Sequence, residues 1–132
     1  MEKVAQAAFI SSAIAITQEV ARESGVGCLR HHIFLCRGPR CCSKEQGETV
    51  WKYLKERLKA LGLAGRGKPV YRTKVDCLRI CQNGPNVLVY PEGVWYHQVD
   101  EQKMERILQN HCIQGKPIKN EAFAINPLPI HH

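Results

Sequence analysis

The 132-residue chain has no C-x-x-C pair, no run of about 20 apolar residues and no glycine-rich phosphate loop. Each absence removes a class of function. Without C-x-x-C at a helix start, no dithiol is placed where a helix dipole favours the thiolate, which excludes a thioredoxin-type disulfide enzyme. The longest apolar stretch, Val4 to Ile16, is broken by Gln6, Ser11 and Ser12 and is too short to span a bilayer, so no membrane contact is expected. Gly65-Arg66-Gly67 alone is a turn, and neither a Ser-His-Asp set nor a paired-carboxylate site accompanies it, so no enzymatic activity is expected. Aromatic residues make up only 7% of the chain and few interleave with the basic ones, which argues against nucleic acid as a partner.

Cysteine, by contrast, is abundant. An odd number, seven, cannot all pair as disulfides, and Cys36, Cys41 and Cys42 crowd into one short stretch. Reduced, metal-binding thiols in a cytoplasmic protein fit that pattern. Charge is uneven as well. Between Arg37 and Arg79 twelve Lys/Arg face four Asp/Glu, whereas the rest of the chain is nearly balanced. The basic character therefore surrounds the cysteines and suits an acidic protein partner, whose attraction raises encounter rates and weakens with salt.

Residues 1–30 form an N-terminal extension. Its first 16 residues have a signal-peptide-like stretch ending near Ala13-Ile14-Ala15, but Glu2 cancels Lys3 where a positive start is required, so the segment reads as a helix ending before Gly25 and Gly27. The apolar run His32-Ile33-Phe34-Leu35 reads as a strand that stops at the loop Cys36-Arg37-Gly38-Pro39-Arg40-Cys41. Ser43 can cap a helix with Val50, Leu54, Leu58 and Leu61 on one face, which Gly62 stops. Pro69 to Val75 alternates like a half-buried strand. Two strands joined through a helix pair in parallel, and both then deliver cysteines at their C-terminal ends, the edge where binding sites commonly form. Val87 to Tyr90 and Val94 to His97, joined by Pro91-Glu92-Gly93, read as a hairpin. Asp100 can cap a last helix with Met104, Ile107, Leu108 and His111 on its apolar face, and residues 117–132 form a tail without periodicity. Residues 31–116 thus make an α/β domain, a mixed four-stranded sheet covered by two helices.

Four cysteines stand in two close pairs, Cys36-x4-Cys41 and Cys77-x3-Cys81, one at the end of each parallel strand. A [2Fe-2S] cluster needs two thiolates per iron, and adjacent loops can supply one pair each. The cluster with four thiolates carries a charge of −2, or −3 once reduced, and Arg37, Arg40, Arg79 and loop amides around Gly38 and Gly84 are placed to offset it. A zinc-thiolate module is the rival reading, although neither pair has the C-x2-C spacing usual in structural zinc sites. Cys42 adjoins Cys41 and could replace it as a ligand. Cys28 and Cys112 lie outside both pairs, and His31, His32, His97 and His111 are not needed to complete four ligands. Trp95 and Tyr96 are read as packing residues rather than an electron relay.

From about Ile33 to Gly115 the chain resembles the thioredoxin-like [2Fe-2S] ferredoxins through Cys36, Cys41, Cys77-Leu78-Arg79-Ile80-Cys81, Asn83-Gly84-Pro85 and Val89-Tyr90-Pro91-Glu92-Gly93-Val94-Trp95-Tyr96. The resemblance implies a thioredoxin-like fold, one [2Fe-2S] cluster near the surface on Cys36, Cys41, Cys77 and Cys81, transfer of single electrons between redox proteins, and a homodimer formed through the sheet region. The same cysteine arrangement is similar to the small cluster subunit of NADH-oxidising respiratory and hydrogenase complexes. Those subunits carry a larger N-terminal helical region than the thirty or so residues present before the first strand here.

Overall fold

A computed structural model describes residues 2–129, so the tail residues His131 and His132 lie outside the described residues. Helix α1 (Glu2–Glu23) leads in, and the two glycines beyond it, Gly25 and Gly27, both have positive φ and turn the chain towards the sheet. None of the helices is long and apolar enough to cross a membrane among the described residues.

The domain is built around β1 (His31–Cys36), which pairs in parallel with β2 (Val70–Val75) and antiparallel with β3 (Asn86–Tyr90). Helix α2 (Lys44–Ala60) connects β1 to β2. Ser43 is its N-cap, accepting from the Gln46 amide at 3.1 Å while Gln46 accepts from the Ser43 amide at 2.9 Å, a reciprocal capping box. Val50, Leu54 and Leu58 recur on its inner face and are all buried against the sheet. Strand β4 (Val94–Tyr96) completes the hairpin with β3. Helix α3 (Glu101–Arg106), capped by Asp100, passes into a π-helical stretch, Ile107–Ile113, that buries Ile107, Leu108 and His111.

Alternation decides the two faces of the sheet. Ile33 and Leu35 of β1, Val87 and Val89 of β3 and Val94 and Tyr96 of β4 point into one core with the inner faces of α2 and α3. The intervening residues His32, Phe34 and Tyr90 are only half-buried and pack on one another, with His32 stacked on Phe34 at 4.0 Å between ring centroids.

The sheet has five strands, in the order β2-β1-β3-β4-β5, one more than the four expected. The extra strand β5 (Ala122–Ile125) falls in the tail whose sequence lacks periodicity, and its residues are half-buried or exposed. It owes its extended form to pairing with β4, with Val94 opposite Ile125, rather than to an apolar face of its own.

One ion pair ties the two covering helices together. Arg57 of α2 donates to both carboxylate oxygens of Glu105 of α3, at 2.7 and 3.1 Å, and Tyr53 and Gln109 donate to the same carboxylate at 2.8 Å. The Arg57 hydrogen bonds hold the Glu105 carboxyl down at about 2. A carboxyl depressed in the folded state adds stability above its ordinary range and loses it as the pH falls through its folded value. Thermal melts should therefore show wild type above Glu105→Gln at pH 6, with the gap closing as the pH is lowered towards about 2. A gap of constant size across that range would show that the charge contributes nothing.

Candidate metal centre

Cys36 is the last residue of β1, and Cys77 follows the end of β2 at Val75. Two loops thus leave adjacent strand ends side by side. The first, from Arg37 to Cys42, is pinned by the Arg37 amide on the Val75 carbonyl at 3.0 Å and by the Cys41 amide on the Gly38 carbonyl at 3.0 Å. The second turns sharply because Arg79, Cys81 and Asn83 all adopt positive φ, between 52° and 69°. Such conformations cost non-glycine residues energy and collect at functional sites.

The result is a cavity of about 250 Å3 lined by Cys36, Cys41, Cys77 and Cys81, with Arg40 and Asp76 at its wall. The sulfurs of Cys77 and Cys81 lie 3.8 Å apart. A tetrahedral metal with metal–sulfur bonds of about 2.3 Å spaces its thiolates by about 3.8 Å. Cys36 and Cys41 are buried, Cys81 is half-buried and Cys77 is exposed, so the cavity opens to solvent on the second loop's side.

Cys42 does not line the cavity. It turns towards Gly47 in the first turn of α2, where a β-carbon on that glycine would come within 3.4 Å of its sulfur. Cys28 and Cys112 are also absent from the lining, and so are His31, His32, His97 and His111.

Two donors reach the thiols. The Arg79 amide donates to Cys77 Sγ at 3.2 Å, and Asn86 Nδ2 donates to Cys41 Sγ at 3.3 Å. The Gly84 amide, expected near sulfur, instead donates to the Cys41 carbonyl at 2.9 Å. Its role is steric, since a β-carbon at Gly84 would collide with Cys41 Sγ and the Cys41 carbonyl. Of the three arginines beside the cysteines, Arg40 lines the cavity, Arg79 acts through its backbone, and Arg37 packs at Gly47.

Asn86 is the site residue that sequence reasoning missed. It is fully buried at the start of β3, directly across from Cys36, and its Nδ2 also donates to the Gln82 carbonyl at 3.1 Å. A polar residue opening an otherwise apolar strand, Asn86-Val87-Leu88-Val89, was the available signal.

Burial pushes the Cys41 thiol up to about 12, against the pull of the Asn86 hydrogen bond. The Cys81 thiol is raised mainly by its hydrogen bond with Cys77. Protons thus stay on these sulfurs until a cation replaces them, which couples metal binding to proton release.

No family model matches the chain. It is 35% identical over 98 residues to a 2Fe-2S ferredoxin of Clostridium pasteurianum, covering 68% of this chain and 92% of that one. A 2Fe-2S ferredoxin of Aquifex aeolicus is 31% identical over 93 residues, covering 67% of this chain and 84% of the relative. Among solved structures, the wild-type thioredoxin-like [2Fe-2S] ferredoxin from Aquifex aeolicus superposes with a TM-score of 0.60 at 26% identity, over 73% of this chain and 98% of that one. Another structure of a thioredoxin-like [2Fe-2S] ferredoxin from that organism gives a TM-score of 0.64 at 24% identity, over 79% of this chain and 99% of the other.

Removing the Asn86 donor should weaken metal retention by about 10-fold or more, as loss of outer partners of metal ligands generally does. Asn86→Leu, purified beside wild type and challenged with a chelator, should lose metal faster while its far-ultraviolet circular dichroism is unchanged. Equal rates of loss would assign Asn86 a purely structural part.

Proposed function

The chain belongs to the thioredoxin-like [2Fe-2S] ferredoxins, and on that premise we propose that it carries single electrons on one cluster held by Cys36, Cys41, Cys77 and Cys81. The observation that carries the reading is the convergence of these four thiols on one cavity of about 250 Å3 at the ends of two parallel strands. When bound, the cluster supplies one reversible single-electron step. The protein's own groups set its terms. Cys77 and Cys81, on the solvent side, give the shortest path to a partner. The Arg79 amide and Asn86 side chain donate to sulfur and so favour added negative charge, as does Arg40 at the wall. Cys41 rather than Cys42 is the fourth ligand in this reading, because only Cys41 faces the cavity.

The electron partner is acidic in this reading. Support comes from the cations gathered around Trp51, with Lys55, Arg72 and Lys74 at 5.3 to 5.9 Å from its ring centre, on the α2 and β2 side of the sheet. The half-buried aromatic face with Phe34, Tyr90 and Trp95 suits a second copy of the chain, so the working form is a homodimer.

Anaerobic purification followed by visible spectroscopy and iron and sulfide assay tests the cluster. Wild type should hold about two irons and about two sulfides per chain, and Cys77→Ala, which leaves no donor atom in place of the thiolate, should lose most of the visible absorption. A colourless wild type holding zinc would overturn the reading. Electron transfer to an acidic redox protein should slow as ionic strength rises from about 0.01 to 0.5 M, since screening shortens the reach of the positive face. A salt-independent rate would remove the acidic partner.

A further inference from the structure

The opposite end of β1 carries a second convergence of metal-type ligands. His31 begins the strand that Cys36 ends, so the two lie about 16 Å apart along it. There His31 Nε2 and His111 Nε2 both approach Glu92 Oε1, at 2.9 and 2.6 Å. The three ligand atoms lie within 4.8 Å of one another.

They come from three separate parts of the chain: the start of β1, the turn between β3 and β4, and the π-helical stretch after α3. Irregular turns of this kind inside helices are frequent at functional sites. His111 is fully buried, His31 keeps 10% of its side-chain area exposed, and Glu92 keeps 30%. The cluster is thus walled by protein on two sides and open on the carboxylate side, where water can enter. Two imidazoles and a carboxylate with one open position are the donor set of a divalent transition-metal site.

The surroundings match as well. His111 Nδ1 lies 2.8 Å from the hydroxyl of buried Tyr96, whose oxygen accepts from the Ile118 amide at 3.1 Å. That contact fixes the ring so that Nε2 faces Glu92, the service an outer partner performs for a metal-bound histidine. Tetrahedral zinc with bonds of about 2.0 to 2.1 Å holds its ligand atoms about 3.4 Å apart, so each histidine nitrogen need move from Glu92 Oε1 by less than about 1 Å from its present 2.9 or 2.6 Å.

We propose that His31, Glu92 and His111 bind one divalent cation of the zinc class, separate from the cysteine site. A bound metal then fastens the last helical segment to the start of β1 and the β3–β4 turn, at the end of the domain remote from Cys36, Cys41, Cys77 and Cys81. The proposal stands or falls independently of what the cysteines hold, because its ligands contain no sulfur.

Zinc is the probe. Cluster-loaded protein carrying His131→Ala and His132→Ala, which removes the tail histidines, would be dialysed anaerobically against buffered zinc. Its zinc content and zinc K-edge X-ray absorption would then be measured. The expected result is about one zinc per chain with nitrogen and oxygen ligands at about 2.0 to 2.2 Å and no sulfur shell at about 2.3 Å. Glu92→Gln and His31→Gln, both near the surface, should weaken binding by at least about 10-fold while iron content stays the same. Added zinc should also raise the melting temperature of the parent and not of either variant. Zinc held through sulfur alone, zinc binding equal in parent and Glu92→Gln, or no zinc retained would overturn the proposal and leave a hydrogen-bonded triad.

Discussion

The register of β1 between β2 and β3 is the constraint on which the rest depends. With Cys36 opposite Val75 on one side and Asn86 on the other, the strand's end, its neighbour's end and the buried amide all arrive at one place. Side chains alternate, so a slip of one residue would exchange Ile33 and Leu35 for His32 and Phe34 in the core. The same slip would carry Cys36 away from the thiols it meets. Core and cysteine cavity are thus specified by one choice of pairing, and the burial of Val87 and Val89 beside Ile33 and Leu35 enforces both. The loops can then be irregular because their anchors are not.

That division explains what could be read in advance. The capping residues Ser43 and Asp100, the spacing of Val50, Leu54 and Leu58, and the alternation in Val70 to Val75 are local signals, and each element formed where they point. The cysteine pairs were legible because strand ends made adjacent by a parallel crossover are adjacent whatever the loops do. Strand β5 was not legible, since it is held by hydrogen bonds to β4 and buries little. Asn86 was missed because its significance lies in a cross-strand partner and not in its own segment. In sequence, His31 and His111 are surplus to four cysteine ligands and Glu92 is a turn residue; the histidines stand 61 and 19 residues from Glu92, and only the folded chain joins the three.

Polarity in this molecule is handled differently at its two ends. At the cysteine end, donors are aimed at sulfur and the wall carries Arg40, an arrangement that tolerates negative charge while leaving access for a partner. At the other end, His111 has no exposed surface, and its two ring nitrogens are both engaged, by Glu92 and by Tyr96. The intervening core supplies no polar side chain to connect them among the described residues, for the central cluster is aliphatic apart from Tyr96 and Met104. An event at either end therefore has only rigid packing through which to be felt at the other.

The order of strands leaves the sheet with two unlike margins. Along β2 the margin bears Arg72 and Lys74, whose charges would have to lose water for another strand to pair there. Along β5 it bears Ala122, Phe123, Ala124 and Ile125, with no charge at all. The Val70 amide at the start of β2 is already bonded to the Leu63 carbonyl at 2.9 Å, and charge guards the rest of that margin. A strand approaching this sheet from elsewhere would meet cationic side chains at β2 and none at β5, so protection by charge is confined to one margin.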